Sequence, residues 1–141
     1  ITRAGVPARI IELEITERGL LDLGRETFDQ LFALKRQGIS LAIDDFGTGY
    51  SSLSYLKQMP MDKLKIDRSF IEDLPRSQSD AAIVRAIIAV ARPLNLRVLA
   101  EGVEKQSQLD FLAEAGCDEC QGFYLGPAIP AERFAEQLRT Q

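Results

Sequence analysis

The strongest constraint on this chain is a rhythm. Five short segments rich in Ile, Leu and Val alternate with stretches of helical spacing. Strands are predicted over residues 9–15, 40–44, 63–67, 97–100 and 117–124, as near-continuous apolar runs suit buried parallel strands. Helices are predicted between and after them. Residues 25–37 place Phe28, Leu31, Phe32 and Lys35 at helical spacing, with Gly38 where a C-terminal stop belongs. Residues 80–91 are apolar at Ile83, Val84, Ile87, Ile88 and Ala91, with Ser79 or Asp80 as cap. Residues 106–115 carry Leu109 and Leu112 and stop at Gly116, residues 131–138 follow Pro130, and residues 51–58 suit one more short helix. Repeated β–α units imply an α/β parallel sheet with right-handed crossovers. An open doubly wound sheet and a barrel both satisfy this pattern. Five units are over half of an eight-unit barrel, which takes about 250 residues.

Composition excludes several chemistries. The chain of 141 residues has no histidine, so Ser-His-Asp and Cys-His catalysis and histidine-ligated zinc or iron sites are ruled out. The formal charge of −4 argues against binding a nucleic-acid polymer by charge. No apolar run approaches the roughly 20 residues of a membrane span, and the opening Ile-Thr-Arg-Ala-Gly lacks a signal-peptide core. Two cysteines, Cys117 and Cys120, are too few for a disulfide framework and point to a reducing, cytoplasmic setting. Their C-x-x-C spacing lies in a strand pattern with no second pair, which disfavours both redox chemistry and zinc.

Each predicted strand carries charge or polarity at its carboxyl end. Alternation puts Glu12, Glu14 and Thr16 on one face, opposite Ile11, Leu13 and Ile15. The second strand ends in Asp44-Asp45. The third, Lys63-Leu64-Lys65-Ile66-Asp67, is charged on one face and apolar on the other. The fourth runs into Glu101-Gly102-Val103-Glu104, and the fifth carries Gln121 before Gly122. Parallel α/β folds bind ligands at the carboxyl ends of their strands, so these groups converge on one site. The alternative, that each is merely a solvated strand end or cap, must explain them all at once.

Glu14, Asp44, Asp45 and Glu101 make an all-oxygen ligand set suited to Mg²⁺ or Mn²⁺. Two such ions can clamp the attacking and leaving oxygens of a phosphoryl displacement. Adjacent Asp44 and Asp45 reach one metal site only if the strand ends there, and Phe46-Gly47-Thr48-Gly49-Tyr50 offers that break. Lys65, the cation inside this acidic ring, can hold a water or a phosphate oxygen; a structural Lys–Glu pair is the other reading.

The motifs Glu14-Ile15-Thr16-Glu17, Asp44-Asp45-Phe46-Gly47-Thr48-Gly49-Tyr50-Ser51-Ser52-Leu53, Lys65-Ile66-Asp67, Glu101-Gly102-Val103-Glu104 and Gln121-Gly122 resemble the ordered motifs of the EAL-domain family, over essentially all of residues 1–141. The resemblance implies the C-terminal portion of a modified (β/α)8 barrel and metal-dependent hydrolysis of cyclic di-GMP to the linear dinucleotide. It implies that Glu14, Asp44 and Asp45 bind metal and that Lys65 orients the water. Glu101 acts at the metal and water site, Gln121 and Glu104 serve the substrate, and Glu17 steadies the loop after Asp45. Two Mg²⁺ or Mn²⁺ ions, inhibition by Ca²⁺, a homodimer and upstream sensory or signalling domains, one of them a membrane tether in some arrangements, are further implications. Two departures stand out. The family's Glu-Ala-Leu signature and a later asparagine ligand belong to an upstream part absent from residues 1–141. The run Gly126-Pro127-Ala128-Ile129-Pro130 also replaces the usual basic residue and proline. A dinucleotide receptor without turnover and a non-catalytic fragment are therefore weighed beside the enzyme.

Overall fold

The computed structural model describes residues 5–21, 24–49 and 56–139. Five strands form one parallel sheet: β1 (Glu12–Thr16), β2 (Ser40–Phe46), β3 (Lys63–Ile66), β4 (Arg97–Ala100) and β5 (Glu119–Cys120). Among the described residues five α-helices can be bounded: α1 (Glu17–Leu21), α2 (Arg25–Arg36), α3 (Gln78–Ala91), α4 (Gln106–Ala115) and α5 (Ala131–Arg139).

The strand order decides between the two architectures. It runs β1-β2-β3-β4-β5, every neighbour parallel. Each crossover therefore steps the same way. A doubly wound sheet reverses its step at a switch point; a barrel does not. Right-handed crossovers that never reverse put the crossover helices α2, α3 and α4 on one face.

The two faces differ accordingly. Leu41, Ile43, Leu64, Ile66, Val98 and Ala100 form one, and they pack in a single core with Leu31 of α2, Val84, Ile87 and Ile88 of α3, and Phe111 and Leu112 of α4. The pairs Glu14↔Ala42, Ala42↔Lys63 and Lys65↔Leu99 set the opposite face, where the charged side chains lie. There Lys63 bridges Glu12 at 3.0 Å and Glu119 at 2.8 Å. Burial would lower its pKa, but hydrogen bonds from the ammonium to these two carboxylates more than offset that and raise it.

Several boundaries depart from expectation. Residues 8–10 form a 3₁₀ turn, so β1 begins at Glu12. Glu17 opens α1, which the apolar pattern does not announce; Thr16 Oγ accepts from the Gly19 N–H at 3.2 Å and caps its first turn. The cap of α3 is Ser77, which accepts from the Asp80 N–H at 3.3 Å, rather than Ser79 or Asp80. β5 is two residues long, because the chain turns away at Gly122 instead of continuing to Tyr124. Gly38 and Gly116 do sit in the left-handed conformation that ends α2 and α4. Most of the predicted 51–58 helix, like Tyr50 to Leu53 of the Asp-Asp-Phe motif, lies outside the described residues.

Candidate functional site

The expected carboxylates meet on a lysine. Lys65, in the buried strand β3, places its ammonium 2.8 Å from Glu14 Oε1, 2.9 Å from Asp44 Oδ1 and 2.9 Å from Glu101 Oε1. These partners come from β1, from β2 and from the residue after β4. Burial would lower the lysine pKa; hydrogen bonds to Glu14, Asp44 and Glu101 outweigh it and hold the ammonium well above its ordinary value. Asp44 Oδ1 is buried and, among the described residues, has no polar partner besides the ammonium it pairs with. Three carboxylates around one ammonium leave a formal charge of −2. That charge, with a buried oxygen short of a hydrogen bond, suits a divalent hard cation. As they stand, no trio of acidic side chains among the described residues is drawn together tightly enough to enclose an ion; the ammonium holds the centre.

Asp45 reaches the site by a different route from the one expected. The strand does not end at Asp44-Asp45 but continues to Phe46. Between the pairs Ile43↔Leu64 and Phe46↔Ile66, β2 carries one residue more than β3, a β-bulge. Within it, Asp45 takes the left-handed conformation, φ 54°. Asp tolerates this better than most residues, at a cost of about 1–2 kcal/mol. The bulge lets neighbouring aspartates serve one end of the sheet: Asp44 meets Lys65, while Asp45 lines an adjacent cleft.

That cleft has a volume of about 470 Å³. Asp45, Arg68, Glu101, Glu104, Gln121 and Phe123 are among its lining. Glu101 belongs to both places, since it also pairs with Lys65. Glu17 stands apart and is buried; its Oε2 accepts from the Gly47 and Gly49 N–H groups at 2.9 and 3.0 Å, pinning the loop that follows the bulge.

Sequence reasoning missed Gln108. It is 1% exposed. Its Oε1 accepts from the Glu104 and Lys105 N–H groups at 2.8 and 2.9 Å, and its Nε2 donates to the Ile71 and Glu72 carbonyls at 3.0 and 3.1 Å. It thereby holds the turn that presents Glu104. The signal was available, since a Gln in the first turn after a non-helical residue is half of a capping box. Arg68 and Phe123 were missed as well, and no local pattern marks them. The cysteines stay out of the site. Burial, with the nearby Cys120, pushes the Cys117 thiol up to about 12.

Comparison with known proteins accords with this geometry. The EAL domain family matches residues 1–128. The cyclic di-GMP phosphodiesterase NbdA of Pseudomonas aeruginosa is 49% identical over 140 residues, covering 99% of this chain and 18% of NbdA. The solved structure of the PaMucR phosphodiesterase in complex with c-di-GMP superposes with a TM-score of 0.89 at 46% identity, covering 94% of this chain and 54% of that one. The manganese and cyclic di-GMP complex of Klebsiella pneumoniae BlrP1 gives a TM-score of 0.80 at 35% identity, over 87% of this chain and 31% of that one. The chain thus spans about a fifth of NbdA and about half of the PaMucR structure. Singly wound parallel strands, acidic groups gathered on Lys65 at their carboxyl ends and these matches together establish that the chain belongs to the EAL domain family.

Proposed function

We propose that the whole protein hydrolyses one phosphodiester bond of cyclic di-GMP, giving the linear dinucleotide. The observation that carries this reading is the Lys65 ammonium among three strand-end carboxylates, opening through Glu101 onto a cleft of about 470 Å³. The names of NbdA and PaMucR support the choice of substrate. Glu14, Asp44, Asp45 and Glu101 would hold two Mg²⁺ or Mn²⁺ ions. When bound, such ions supply Lewis-acid charge and lower the pKa of water. Lys65 positions the water and a phosphate oxygen, and Glu101 receives the proton that the water loses. Gln121 and Glu104 bind the substrate across the cleft, and Glu17 steadies the loop beside Asp45. A homodimer, upstream signalling domains and a cytoplasmic site of action complete the reading. No described helix is long and apolar enough to cross a membrane.

The test is turnover by the full-length protein with cyclic di-GMP and Mn²⁺, followed by chromatography. Linear product is expected, lost on chelation and restored by Mn²⁺ or Mg²⁺. Excess Ca²⁺ should suppress it, because its longer, looser coordination replaces octahedral geometry. Tight binding without product would replace the enzyme with a receptor.

A further inference from the structure

Four polar or charged side chains are buried among the described residues: Glu17, Lys63, Lys65 and Gln108. Glu17 pins the loop after the bulge, and the two lysines hold carboxylates. Gln108 is the neutral member of the set, and its burial costs stability unless both ends of the amide are met. Both ends are met, and only by main chain. Its Oε1 accepts from the Glu104 and Lys105 N–H groups, as half of a capping box would. Its Nε2 does what no cap requires. It reaches 37 residues back along the chain and donates to the Ile71 carbonyl, and to that of Glu72.

The amide thereby joins two separate walls. The chain leaving β3 brings Asp67 and Arg68 to the cleft, and the chain leaving β4 brings Glu101, Gly102 and Glu104. The walls touch where Gly102, φ 75°, packs on Arg68; a Cβ on Gly102 would lie 2.6 Å from Arg68 Cβ. Beside that contact, Arg68, Glu72, Gly102 and Glu104 line a second cavity of about 130 Å³. Gln108 bonds the backbone of two of these four, Glu72 and Glu104, and so ties the walls together around the space. Glu104 depends on that tie. Its side chain is exposed and makes no hydrogen bond or ion pair among the described residues. Its direction is therefore set by its backbone, and Gln108 holds that backbone.

We propose that Gln108 is a positioning residue for the reaction: it fixes Glu104 for substrate, using the chain after β3 as its anchor. This rests on the reading above, in which Glu104 serves cyclic di-GMP. A turn that is already ordered spares binding the cost of ordering it, so the gain falls on affinity. The metal and water centre does not hang from this tie. Glu101 is held separately, its N–H donating to the Ile66 carbonyl at 3.2 Å and its carboxylate pairing with Lys65. Losing Gln108 therefore loosens Glu104 and leaves the carboxylates around Lys65 in place.

Steady-state kinetics and calorimetric binding of cyclic di-GMP by the full-length protein test this role. Gln108→Met keeps the volume and removes all four bonds. It should raise KM and Kd by about 10-fold, close to the loss in Glu104→Ala, which is the value of a charged hydrogen bond. Because the contact is made equally before and during reaction, kcat should change less than about twofold, and the Mn²⁺ concentration for half-maximal turnover should not move. Added to Glu104→Ala, Gln108→Met should cost less than about twofold more, since the group it positions is already gone. An amide that only stabilises the fold would lower the melting temperature with KM unmoved, or would add its full loss in the Glu104→Ala background. Either result overturns the proposal. Amide exchange in the native protein reads the contact without a variant: the Glu104 N–H should exchange slowly although its side chain is exposed, and exchange as fast as in an unstructured peptide would overturn the tie. A wild-type protein that binds but does not turn over refutes only the hydrolytic reading, and Kd then carries the comparison. A wild-type protein that does neither refutes both.

Discussion

Charge at single residues is set here by what surrounds it. Lys65 satisfies three carboxylates at once, so removing it leaves them facing one another with no cation. Lys65→Ala should lower turnover by about 100-fold or more, the scale of a lost proton-handling group. The same variant should gain more in melting temperature from added Mn²⁺ than the native protein does, because the ion then has no ammonium to displace. Equal gains in thermal denaturation would refute this competition. Asp44→Asn should likewise abolish turnover while leaving the fold intact by circular dichroism. Glu17 acts by hydrogen bonding alone. Glu17→Ala leaves the Gly47 and Gly49 N–H groups unpaired, and should cost about 1–3 kcal/mol in chemical denaturation and speed hydrogen exchange at both amides.

Among the elements, the fourth and fifth strands and the turns after them decide what the site presents. Gly122 lies so close to Val103 that Gly122→Ala must push the 123–126 turn away from β4. Overpacking of this kind costs about 1–3 kcal/mol, and here the loss should also show in KM for cyclic di-GMP. β5 brings the thiols. The folded-state pKa of Cys117 rises from 9.0 to about 12, so the folded chain keeps a proton that the unfolded chain loses near pH 9.0. Its stabilising contribution is therefore full below pH 9.0 and is lost as pH rises towards 12. Denaturation midpoints should fall over that interval, and Cys117→Ser should flatten the fall. At neutral pH, iodoacetamide should modify Cys117 far more slowly than free cysteine.

For the whole molecule, the governing fact is that the sheet never reverses its step. Helices cover one face, and the other keeps two levels of charge: Glu12 and Glu119 on Lys63, then Glu14, Asp44 and Glu101 on Lys65. The lower level neutralises charge across three strands. The upper level opens onto the cleft at the carboxyl ends, where crossover loops supply Arg68, Glu104 and Phe123. One charged face thus carries both structural and functional ion pairs. Lys63→Met is expected to alter stability without changing the metal dependence of turnover, and a changed Mn²⁺ requirement would refute this division.

Local patterns were sufficient for the strand–helix alternation, the charged face of β3 and the grouping of Glu14, Asp44, Asp45, Glu101 and Gln121 at strand ends. Side-chain period in a strand is two, and a parallel sheet aligns the strand ends; both follow from sequence order. Three things required the assembled fold. The choice of a singly wound sheet depends on which strands pair, and alternation cannot report that. The way Asp45 joins the site depends on a bulge, which exists only as a mismatch in register between β2 and β3. The second set of cleft residues, Arg68, Phe123 and the buried support Gln108, depends on loops far apart in the chain meeting over the sheet. Their roles come from long-range packing against Gly102, Val103 and Ile71, which no spacing along the chain encodes.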